Sequence, residues 1–504
     1  DGENSNDEFG RSVDISADGS LLAVGARKHN VNGNSVGTVY TYQWNGATWQ
    51  SLGEIEGVGF IDSQTSHGQE ISLSDDGLRI AVGAPGYNGN SGYVQTYDYL
   101  DGAWTMVGQQ LYNGDFQYGY EVALSGDGSR LVTHDRSNMV LYVFDAAVAS
   151  FCQNGGTCTD GVDSFTCDCS TAAGWEGTLC DQDINECAPN GGFGPCTNGA
   201  VCTDSTSDDG IPVSMYECNC PAGWQGANCD EDVNECSPGF ALVGDITHNN
   251  VVNYPCVESQ WGYGCRHGWE VAMSADGQRV AIAAAGAEDP DGFETGYVSV
   301  MENVNGAWTP VGEVIWGYNI SEGPFCPSYD APCYVGFGES IDLSADGNTV
   351  IISAISDDTH ADAGGQVFVF DFNGTSWNPK GDLSPFFAAF GADDDDWWGT
   401  EVTISADGDI IAFSSEISTN PGGTSESGET VVMQWNKPEN PNDWTQLGQM
   451  LFDATYAHGW GLCLSADGQR LAVGSPYTDS DAGKVQVYDY DAVSDQWNQV
   501  GQTL

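Results

Sequence analysis

The chain has 504 residues, of which 73 are acidic and 12 are basic, and its formal net charge is −61. So few cations exclude nucleic acid as a partner, because binding it requires neutralising the phosphate backbone. They equally exclude adsorption to anionic membranes. No apolar run approaches the roughly 20 residues that cross a bilayer, so we expect no membrane insertion. Aromatic and β-branched residues recur along the whole chain, which indicates a folded protein despite the charge.

A Ser-x-Asp-Gly phrase recurs seven times along the chain. The copies begin at Ser16, Ser74, Ser125, Ser274, Ser344, Ser405 and Ser465. The Asp-Gly pair is typical of a hairpin turn, because glycine adopts a positive φ and aspartate bonds the turn backbone. A short alternating strand precedes each turn, and an apolar strand follows it, as at residues 21–26. Two further strands complete each unit, and the last carries a tryptophan such as Trp49.

Seven four-stranded units predict an all-β fold, a seven-bladed β-propeller around a central channel, rather than two packed sandwich domains. The first unit opens on its first strand, and the seventh ends after its fourth. We therefore expect blade 1 to meet blade 7 by side-chain packing, without a borrowed strand.

Phe9-Gly10 and the later run 22–26 resemble the FG-GAP repeat of integrin-α-type propellers, and the resemblance extends to all seven units. Calcium loops of that family carry a further aspartate three residues after the Asp-Gly pair. Here Gly19 is followed by the segment 20–22, Ser-Leu-Leu, so the last ligand is missing. We therefore expect plain hairpin turns and assign no calcium to them.

The third unit is interrupted after its third strand. The missing fourth strand reappears at residues 240–246, which match residues 104–110 of the second unit. We therefore assign residues 1–146 and 240–504 to the propeller. The segment between them is expected within blade 3, at the rim and projecting outward.

The inserted segment is rich in cysteine. Its cysteines are Cys152, Cys158, Cys167, Cys169 and Cys180, then Cys187, Cys196, Cys202, Cys218, Cys220 and Cys229. The second set resembles a complete EGF-like module, residues 183–231, and the first resembles an incomplete one, residues 150–181, that lacks its first cysteine. Residues 232–239 form a linker, in which the Asp-x-Asn-Glu-Cys sequence that opens the second module occurs again. Modules this small need disulfides to fold, which predicts an oxidising, extracellular location.

The resemblance implies a disulfide pairing for both modules. The implied pairs are Cys187–Cys202, Cys196–Cys218, Cys220–Cys229, Cys152–Cys167 and Cys169–Cys180. Beyond the modules we expect the pairs Cys236–Cys256 and Cys326–Cys333. Because 17 cysteines cannot all pair, at least one is unpaired or intermolecular, and the candidates are Cys158, Cys265 and Cys463.

The start of the second module resembles a calcium-binding EGF module. The resemblance implies Ca²⁺ as a cofactor, with ligands from Asp183, Glu186 and Asp204 and backbone carbonyls near Ile184 and Ser205. Oxygen donors of this kind suit Ca²⁺, which takes six to eight of them. An exposed acidic linker is the alternative. Asp232 and Glu235 repeat the phrase and form a second, weaker candidate, for which a decayed module is the alternative.

Two positions of the repeat place polar residues at the start of the innermost strand. One position holds His67, His267 and His458. Other units have aromatic residues there, so we expect packing rather than metal binding. The other position holds Glu70, Glu121, Glu270 and Glu401. Carboxylates converging on one channel would attract a cation and raise one another's pKa; the alternative is that each hydrogen-bonds the backbone of a neighbouring blade.

Three further features concern the surface. The run Asp393–Asp396 could hold calcium or a partner, although a solvated acidic loop is the default expectation. Asn319 and Asn373 lie in N-glycosylation sequons, and Asn373 also occupies a hairpin-turn position. Thr157 resembles the O-fucose acceptor of EGF modules.

The sequence contains no recognisable catalytic triad, phosphate loop or cofactor fingerprint, so we expect no enzyme. The leading interpretation is a secreted structural or adhesive glycoprotein, a subunit of an extracellular filament or matrix. Its partners would be copies of itself or other extracellular structural proteins, joined through calcium. Propellers of this style joined to EGF modules resemble secreted algal and stramenopile proteins, including structural proteins of flagellar hairs (mastigonemes), which implies a cell surface or flagellar appendage. The alternatives are a glycan-binding propeller that uses a tryptophan-rich top face and, third, a propeller enzyme.

Overall fold

The structure is a computed structural model of the chain. It describes residues 6–31, 34–57, 65–112, 117–135, 140–146, 240–247, 266–288, 295–317, 336–357, 364–384, 386–387, 396–416, 428–435, 444–452 and 458–504. Between residues 157 and 232 it describes the backbone of short strands. The chain divides into two units, one of residues 1–145 and 240–504 and the other of residues 146–239.

Seven antiparallel sheets form the seven repeats of the first unit, and the first four strands of each sheet lie side by side in chain order. The first contains β1 (Phe9–Ile15), β2 (Leu21–Ala26), β5 (Thr38–Trp44) and β6 (Trp49–Glu56). Between β2 and β5, the hairpin of β3 (Asn30–Val31) and β4 (Asn34–Ser35) is a separate two-stranded sheet. The second contains β7 (Ile71–Leu73), β8 (Arg79–Gly83), the single turn α1 (Tyr87–Asn90), β9 (Val94–Leu100) and β10 (Ala103–Leu111). The third begins with β11 (Val122–Leu124), β12 (Arg130–Asp135) and β13 (Val140–Ala146).

Eight short strands of the inserted segment follow. They are β14 (Thr157–Gly161), β15 (Ser164–Asp168), β16 (Trp175–Glu176), β17 (Gln182–Asp183), β18 (Val201–Asp204), β19 (Tyr216–Asn219), β20 (Trp224–Gln225) and β21 (Glu231–Asp232). The fourth strand of the third sheet is then β22 (Phe240–Thr247), which lies beside β13. The insertion therefore lies between the third and fourth strands of blade 3.

The remaining four sheets come from the rest of the chain. The fourth has β23 (His267–Met273), β24 (Arg279–Ala284), β25 (Tyr297–Val304), β26 (Ala307–Pro310) and β27 (Ile315–Trp316). The fifth has β28 (Phe337–Leu343), β29 (Thr349–Ala354), β30 (Gln366–Phe372) and β31 (Trp377–Pro379). The sixth has β32 (Val402–Ile404), β33 (Ile410–Ser415), β34 (Glu429–Trp435), β35 (Trp444–Gln446) and β36 (Leu451–Phe452). The seventh has β37 (Gly461–Leu464), β38 (Arg470–Ser475), β39 (Lys484–Asp491) and β40 (Gln496–Gln499).

The first strands of neighbouring sheets contact one another in a closed cycle, and β37 of the last sheet contacts β1 of the first. The predicted seven-bladed propeller is therefore confirmed, with the first strands around its centre. The second strands are buried on both faces, because each is covered by a neighbouring sheet on either side; all six residues of β2 are buried. Each of the seven junctions has its own apolar core, including one that joins Val487 of the last sheet to Val24 of the first.

The Ser-x-Asp-Gly phrases form the predicted hairpin turns between the first and second strands. The hydroxyl of Ser16 donates to Asp18 Oδ1 at 2.8 Å and accepts from the backbone N–H of Leu21 at 2.9 Å. Asp18 Oδ1 also accepts from the backbone N–H of Ser20 at 2.9 Å. Gly19 has a φ of 70°, which glycine adopts without strain. The serine-to-aspartate bond recurs in all seven copies.

A ring of backbone hydrogen bonds links the seven turns. In each turn the residue after the serine donates its N–H to the carbonyl of the equivalent residue in the next blade. The ring runs from Ala17 through Asp75, Gly126, Ala275, Ala345, Ala406 and Ala466 back to Ala17. The side-chain packing expected between blades 1 and 7 is present in the apolar core that the two blades share. The junction also has main-chain bonds, although the seventh sheet contains no borrowed strand.

Five basic side chains cross to the next blade: four lie at the start of a second strand, and Lys380 directly follows the fourth strand of blade 5. Each donates to the carbonyl oxygen of that blade's turn glycine, and each also pairs with a carboxylate. The five donors and acceptors are Arg79 and Gly128, Arg130 and Gly277, Arg279 and Gly347, Lys380 and Gly408, and Arg470 and Gly19. Five of the chain's 12 Lys and Arg side chains therefore make contacts between neighbouring blades.

At the outer strands, glutamine side chains bond the backbone of a tryptophan in the next blade. Gln449 donates to the carbonyl oxygen of Trp497 at 2.7 Å and accepts from its N–H at 2.8 Å, which joins the sixth and seventh blades. Gln502 makes the same two contacts with Trp49, at 2.6 and 3.2 Å, which joins the seventh blade to the first. The closing junction therefore uses the same chemistry as an internal one.

The second unit, residues 146–239, contains four two-stranded ladders that repeat one pattern twice. Cys158 lies opposite Cys167 in the first hairpin, as Cys202 lies opposite Cys218 in the second. Asp183 and Asp232 are likewise equivalent, because each lies opposite a tryptophan across a short ladder. The repeated register supports two modules of one kind in this segment.

Candidate functional site

The predicted channel glutamates affect one another electrostatically. Glu270 has its pKa raised well above the ordinary value by burial and then by the negative charges of Glu121, Glu401 and Glu70. Burial and the charge of Glu70 likewise raise the pKa of Glu401. Burial raises the pKa of Glu70 to about 7, and the positive charge of Arg11 opposes this shift. The four carboxylates, here called the channel glutamates, therefore share one electrostatic environment.

Glu401 makes a hydrogen bond with the side chain of Ser340 in blade 5. Two aspartates of the inner strands accept hydrogen bonds from the backbone of the neighbouring blade. Asp14 accepts from the N–H groups of Ile15 and of Leu73 in the next blade, at 2.7 and 2.6 Å. Asp342 accepts from the N–H of Ile404 in the next blade at 2.9 Å. Burial raises the pKa of Asp14 to about 7 and that of Asp342 to about 6, against these bonds. Two buried carboxylates thus lock adjacent inner strands together.

The residue before each channel glutamate, or its equivalent, belongs to a ring that we call the channel mouth. Its members are Arg11, Gln69, Tyr120, Trp269, Glu339, Thr400 and Trp460. Several members contact groups of the adjacent blade. The Arg11 guanidinium lies 4.8 Å above the centre of the Trp460 ring. The Arg266 guanidinium lies 4.2 Å above Trp269 and donates to Glu339 at 2.9 Å.

Glu416 follows the second strand of blade 6 and is 6% exposed. Its Oε2 is buried and has no hydrogen-bond partner, and the same holds for Nε of Arg11. Burial raises the pKa of Glu416 to about 7, while the positive charge of Arg11 lowers it. Arg11 therefore acts on Glu416, Glu70 and Glu401 together.

The three repeat histidines are packing residues, as expected. His67, His267 and His458 are all fully buried. The Nδ1 of His67 lies 3.0 Å from the hydroxyl of Tyr93, and that of His267 lies 2.9 Å from the hydroxyl of Tyr297. Burial lowers the pKa of His67 to about 3, so its ring is neutral. Among the described residues, no three His, Cys, Asp or Glu side chains are grouped so that they could hold a metal ion.

Two surface predictions fall partly on described residues. Asn373 is exposed in its turn, and its Oδ1 accepts from the N–H groups of Thr375 and Ser376, both at 3.0 Å. Asp396 is 5% exposed, so the expectation of a solvated loop is wrong for this residue, whose carbonyl accepts a hydrogen bond from Ser415. Cys463 is unpaired and buried in the innermost strand of blade 7.

The other predicted sites lie outside the residues whose side chains the structure describes. These are the calcium ligands Asp183, Ile184, Glu186, Asp204, Ser205, Asp232 and Glu235, the cysteines other than Cys463, Asn319, Thr157 and residues 393–395. They remain predictions. Sequence reasoning in turn missed Arg11, Arg266 and Glu416, although Arg11 occupies a repeat position directly beside that of the channel glutamates.

Comparisons with family models match two parts of the chain. Residues 1–42 match the FG-GAP repeat, and residues 148–178 match the EGF-like domain. The chain thus combines a seven-bladed propeller, whose first blade matches the FG-GAP repeat, with an inserted segment that matches the EGF-like domain. EGF-type scaffolds are disulfide-dense domains of secreted proteins, which makes the chain an extracellular propeller protein.

Among curated proteins, Protein eyes shut of Drosophila melanogaster is 46% identical over 63 residues, which are 12% of this chain. The chain spans only 3% of the length of that relative. Among solved structures, a 6-phosphogluconolactonase described as putative, from Bacteroides fragilis, has a TM-score of 0.49 at 11% identity, with 97% of each chain covered. The Cps50 (Swd1) propeller domain from Myceliophteria thermophila has a TM-score of 0.46 at 10% identity, with 97% and 98% covered. These values support no inference about activity. Among the residues that the structure describes, no helix is long and apolar enough to span a membrane.

Proposed function

We propose that this extracellular propeller protein is a secreted, non-catalytic structural or adhesive glycoprotein, a subunit of a filament or matrix that assembles with calcium. The observation that carries the proposal is the pairing of most basic side chains with acids of the same chain. Eight of the 12 Lys and Arg side chains form ion pairs with acids of the same chain. The surface charge is therefore overwhelmingly negative, and two such surfaces repel each other unless cations screen or bridge them.

The closed construction of the propeller supports the role of a rigid scaffold in such an assembly. Backbone bonds, cationic side chains and outer-strand contacts all recur at the junction between blades 7 and 1, as in Arg470 with Gly19 and Gln502 with Trp49. The closing junction is therefore held by the same kinds of contact as the internal junctions. The fold is thus suited to holding binding surfaces at fixed positions.

The calcium part of the proposal rests on the EGF-like insertion. The phrase around Asp183 and Glu186 resembles a calcium-binding module, and Asp232 repeats it in an equivalent register. Extracellular calcium modules bind with dissociation constants of about 10⁻⁴ to 10⁻³ M. Calcium at such sites would neutralise part of the charge and stiffen the insertion.

Glycan binding is a weaker alternative on this geometry. Sugars need an open aromatic face, but Arg11 covers a face of Trp460 and Arg266 covers a face of Trp269. These rings are engaged by cations of the chain itself.

The test is imaging of the native particle. Assemblies isolated with calcium present should be filaments or sheets, and EDTA or a thiol reductant should dissociate them into single chains. Native protein that is monomeric in about 10 mM calcium, well above the usual dissociation constants, would contradict the proposal.

A further inference from the structure

Three hairpin turns of the propeller contain an asparagine followed by a glycine. They are Asn45–Gly46, Asn305–Gly306 and Asn373–Gly374. All six residues are exposed to solvent. In this dipeptide the glycine nitrogen can attack the side-chain amide of the asparagine, because glycine has no Cβ to hinder a close approach. The three turns therefore contain the same reactive groups, and their geometries can be compared directly.

The three turns have two different backbone geometries. Strand pairing leaves four residues, 45–48 and 373–376, in two of the loops and only two residues, 305–306, in the third. Both residues of the short loop have a positive φ, 54° at Asn305 and 85° at Gly306, as in a type I′ turn. In the longer loops only the glycine has a positive φ, which is 92° in both.

In the longer loops the side-chain carbonyl of the asparagine is activated. Oδ1 of Asn45 accepts from the N–H groups of Ala47 and Thr48, both at 2.9 Å. The bond to Ala47 closes a ring that contains both Cγ of Asn45 and the nitrogen of Gly46, so the side chain is folded back over the attacking peptide. Negative charge develops on Oδ1 when Cγ is attacked, and two fixed N–H donors stabilise that charge as an oxyanion hole does. Oδ1 of Asn373 accepts the equivalent two bonds, both at 3.0 Å.

The attacking nitrogen is engaged in the short loop and not in the longer ones. Gly306 donates its N–H to Oδ1 of Asn303 at 2.9 Å, which holds the nitrogen that would attack Asn305. Within the part of the chain that the structure describes, the N–H groups of Gly46 and Gly374 donate to no acceptor. The nucleophile and the activated carbonyl therefore occur together in the longer loops.

We propose that Asn45 and Asn373 are self-modifying sites, at which the folded turn converts asparagine into aspartate or isoaspartate. The nitrogen of the following glycine loses its proton to water and bonds to Cγ. The Cγ–Nδ2 bond then breaks, and Nδ2 leaves as ammonia after taking a proton from water or, at Asn45, through the hydroxyl of Thr48, which lies 3.2 Å from Nδ2. Water adds to either carbonyl of the resulting succinimide and opens the ring. The inference goes beyond the proposed assembly and does not depend on calcium.

Conversion of Asn45 would change a loop beside the closing junction. Residues 45–48 join Trp44 to Trp49, and the Arg470 guanidinium of blade 7 lies 5.3 and 5.7 Å from the centres of these two rings. Isoaspartate adds a carbon atom to the backbone of the loop, and either product adds a negative charge. We therefore expect the melting temperature to fall as Asn45 is converted.

The experiment is incubation of the full chain in water enriched in heavy oxygen at mildly alkaline pH. The chain is produced without glycosylation, so that Nδ2 of Asn373 is free, and circular dichroism verifies that it stays folded. Peptide mapping by mass spectrometry measures heavy-oxygen incorporation at Asn45, Asn373 and Asn305 in the same molecules. A parallel incubation in urea measures the three rates without the fold. Asn303→Ala releases the N–H of Gly306, and Asn303→Asp, which keeps an acceptor oxygen, is its matched control.

In the native chain we expect Asn45 and Asn373 to be converted at similar rates, about tenfold or more faster than Asn305, because the fixed donors act on them. In urea the three rates should be similar. Asn303→Ala should raise the native rate at Asn305 several-fold, and Asn303→Asp should not. The proposal is overturned if Asn45 and Asn373 stay unmodified in the native chain, if Asn305 is converted as fast as they are, if the same order of rates persists in urea, or if Asn303→Ala leaves the rate at Asn305 unchanged.

Discussion

The backbone N–H of Ala466 donates to the carbonyl oxygen of Ala17 at 3.0 Å. These residues are 449 positions apart and belong to the last and first blades. The bond nevertheless joins the same two backbone groups, at a similar length, as the bonds between consecutive blades. With it, the seven hairpin turns form a closed ring of hydrogen bonds. Closure of this propeller is therefore a main-chain property of the repeat, and the following predictions begin from it.

Loss of the Gln502 side chain should weaken the closing junction. Gln502→Ala removes two hydrogen bonds to Trp49, so we expect the free energy of unfolding to fall by about 1–3 kcal/mol. Gln449→Ala should cost a similar amount, because its contacts with Trp497 are equivalent. Urea unfolding measures both, with the exposed Gln50→Ala as control. A loss at Gln449 with none at Gln502 would show that the two junctions differ.

Crowding at Gly483 should make the same junction intolerant of a side chain. Gly483 has a φ of +86°, and a Cβ there would lie 2.0 Å from the carbonyl oxygen of Phe9. Gly46 has a φ of +92°, but a Cβ there meets nothing within 4 Å. Gly46→Ala should therefore cost only the backbone strain, about 1–2 kcal/mol, and Gly483→Ala considerably more. Equal melting temperatures for the two variants would contradict the geometry.

Buried carboxylates should make the protein less stable as the pH rises. Burial raises the pKa of Glu70 and of Glu416 from 4.5 to about 7. The folded protein therefore retains protons that the unfolded chain has lost, and the free energy of unfolding falls as the pH rises from about 4.5 through 7. Urea midpoints measured with EDTA at about pH 5 and about pH 8 should differ in that direction. Glu70→Gln should reduce the difference and Glu54→Gln should not; a higher midpoint at the alkaline pH would refute this explanation.

The Cys463 thiol should be inert in the folded protein. It is unpaired and buried, and burial raises its pKa well above the ordinary value, so little reactive thiolate forms. Iodoacetamide should leave Cys463 unmodified in the native protein and alkylate it after unfolding in urea. Peptide mass spectrometry distinguishes the alkylated form of Cys463 from the unmodified one. Rapid native alkylation would show that the inner strand of blade 7 opens.

The sequence was most informative where one position recurs in every blade. The serine and aspartate of each turn, such as Ser16 and Asp18, follow from the period alone, because equal positions in a repeat occupy equal places in the fold. The same reasoning gave the four channel glutamates one shared position. The electrostatic effect of Arg11 on Glu416 could not be predicted in this way. These two residues belong to different repeat positions in different blades, and only the closure of the ring brings blades 1 and 6 near one another.

Calcium-dependent assembly is the central claim, and sedimentation velocity of the purified full chain tests it most directly. Raising calcium from zero to about 10 mM, above the usual dissociation constants of extracellular modules, should convert monomers into large species. Sodium chloride of equal ionic strength should convert a smaller fraction of the monomers into large species. Asp183→Asn should shift the transition to higher calcium, while Glu54→Gln should not. A chain that sediments as a monomer at every calcium concentration, or that assembles equally in sodium chloride, would contradict the account.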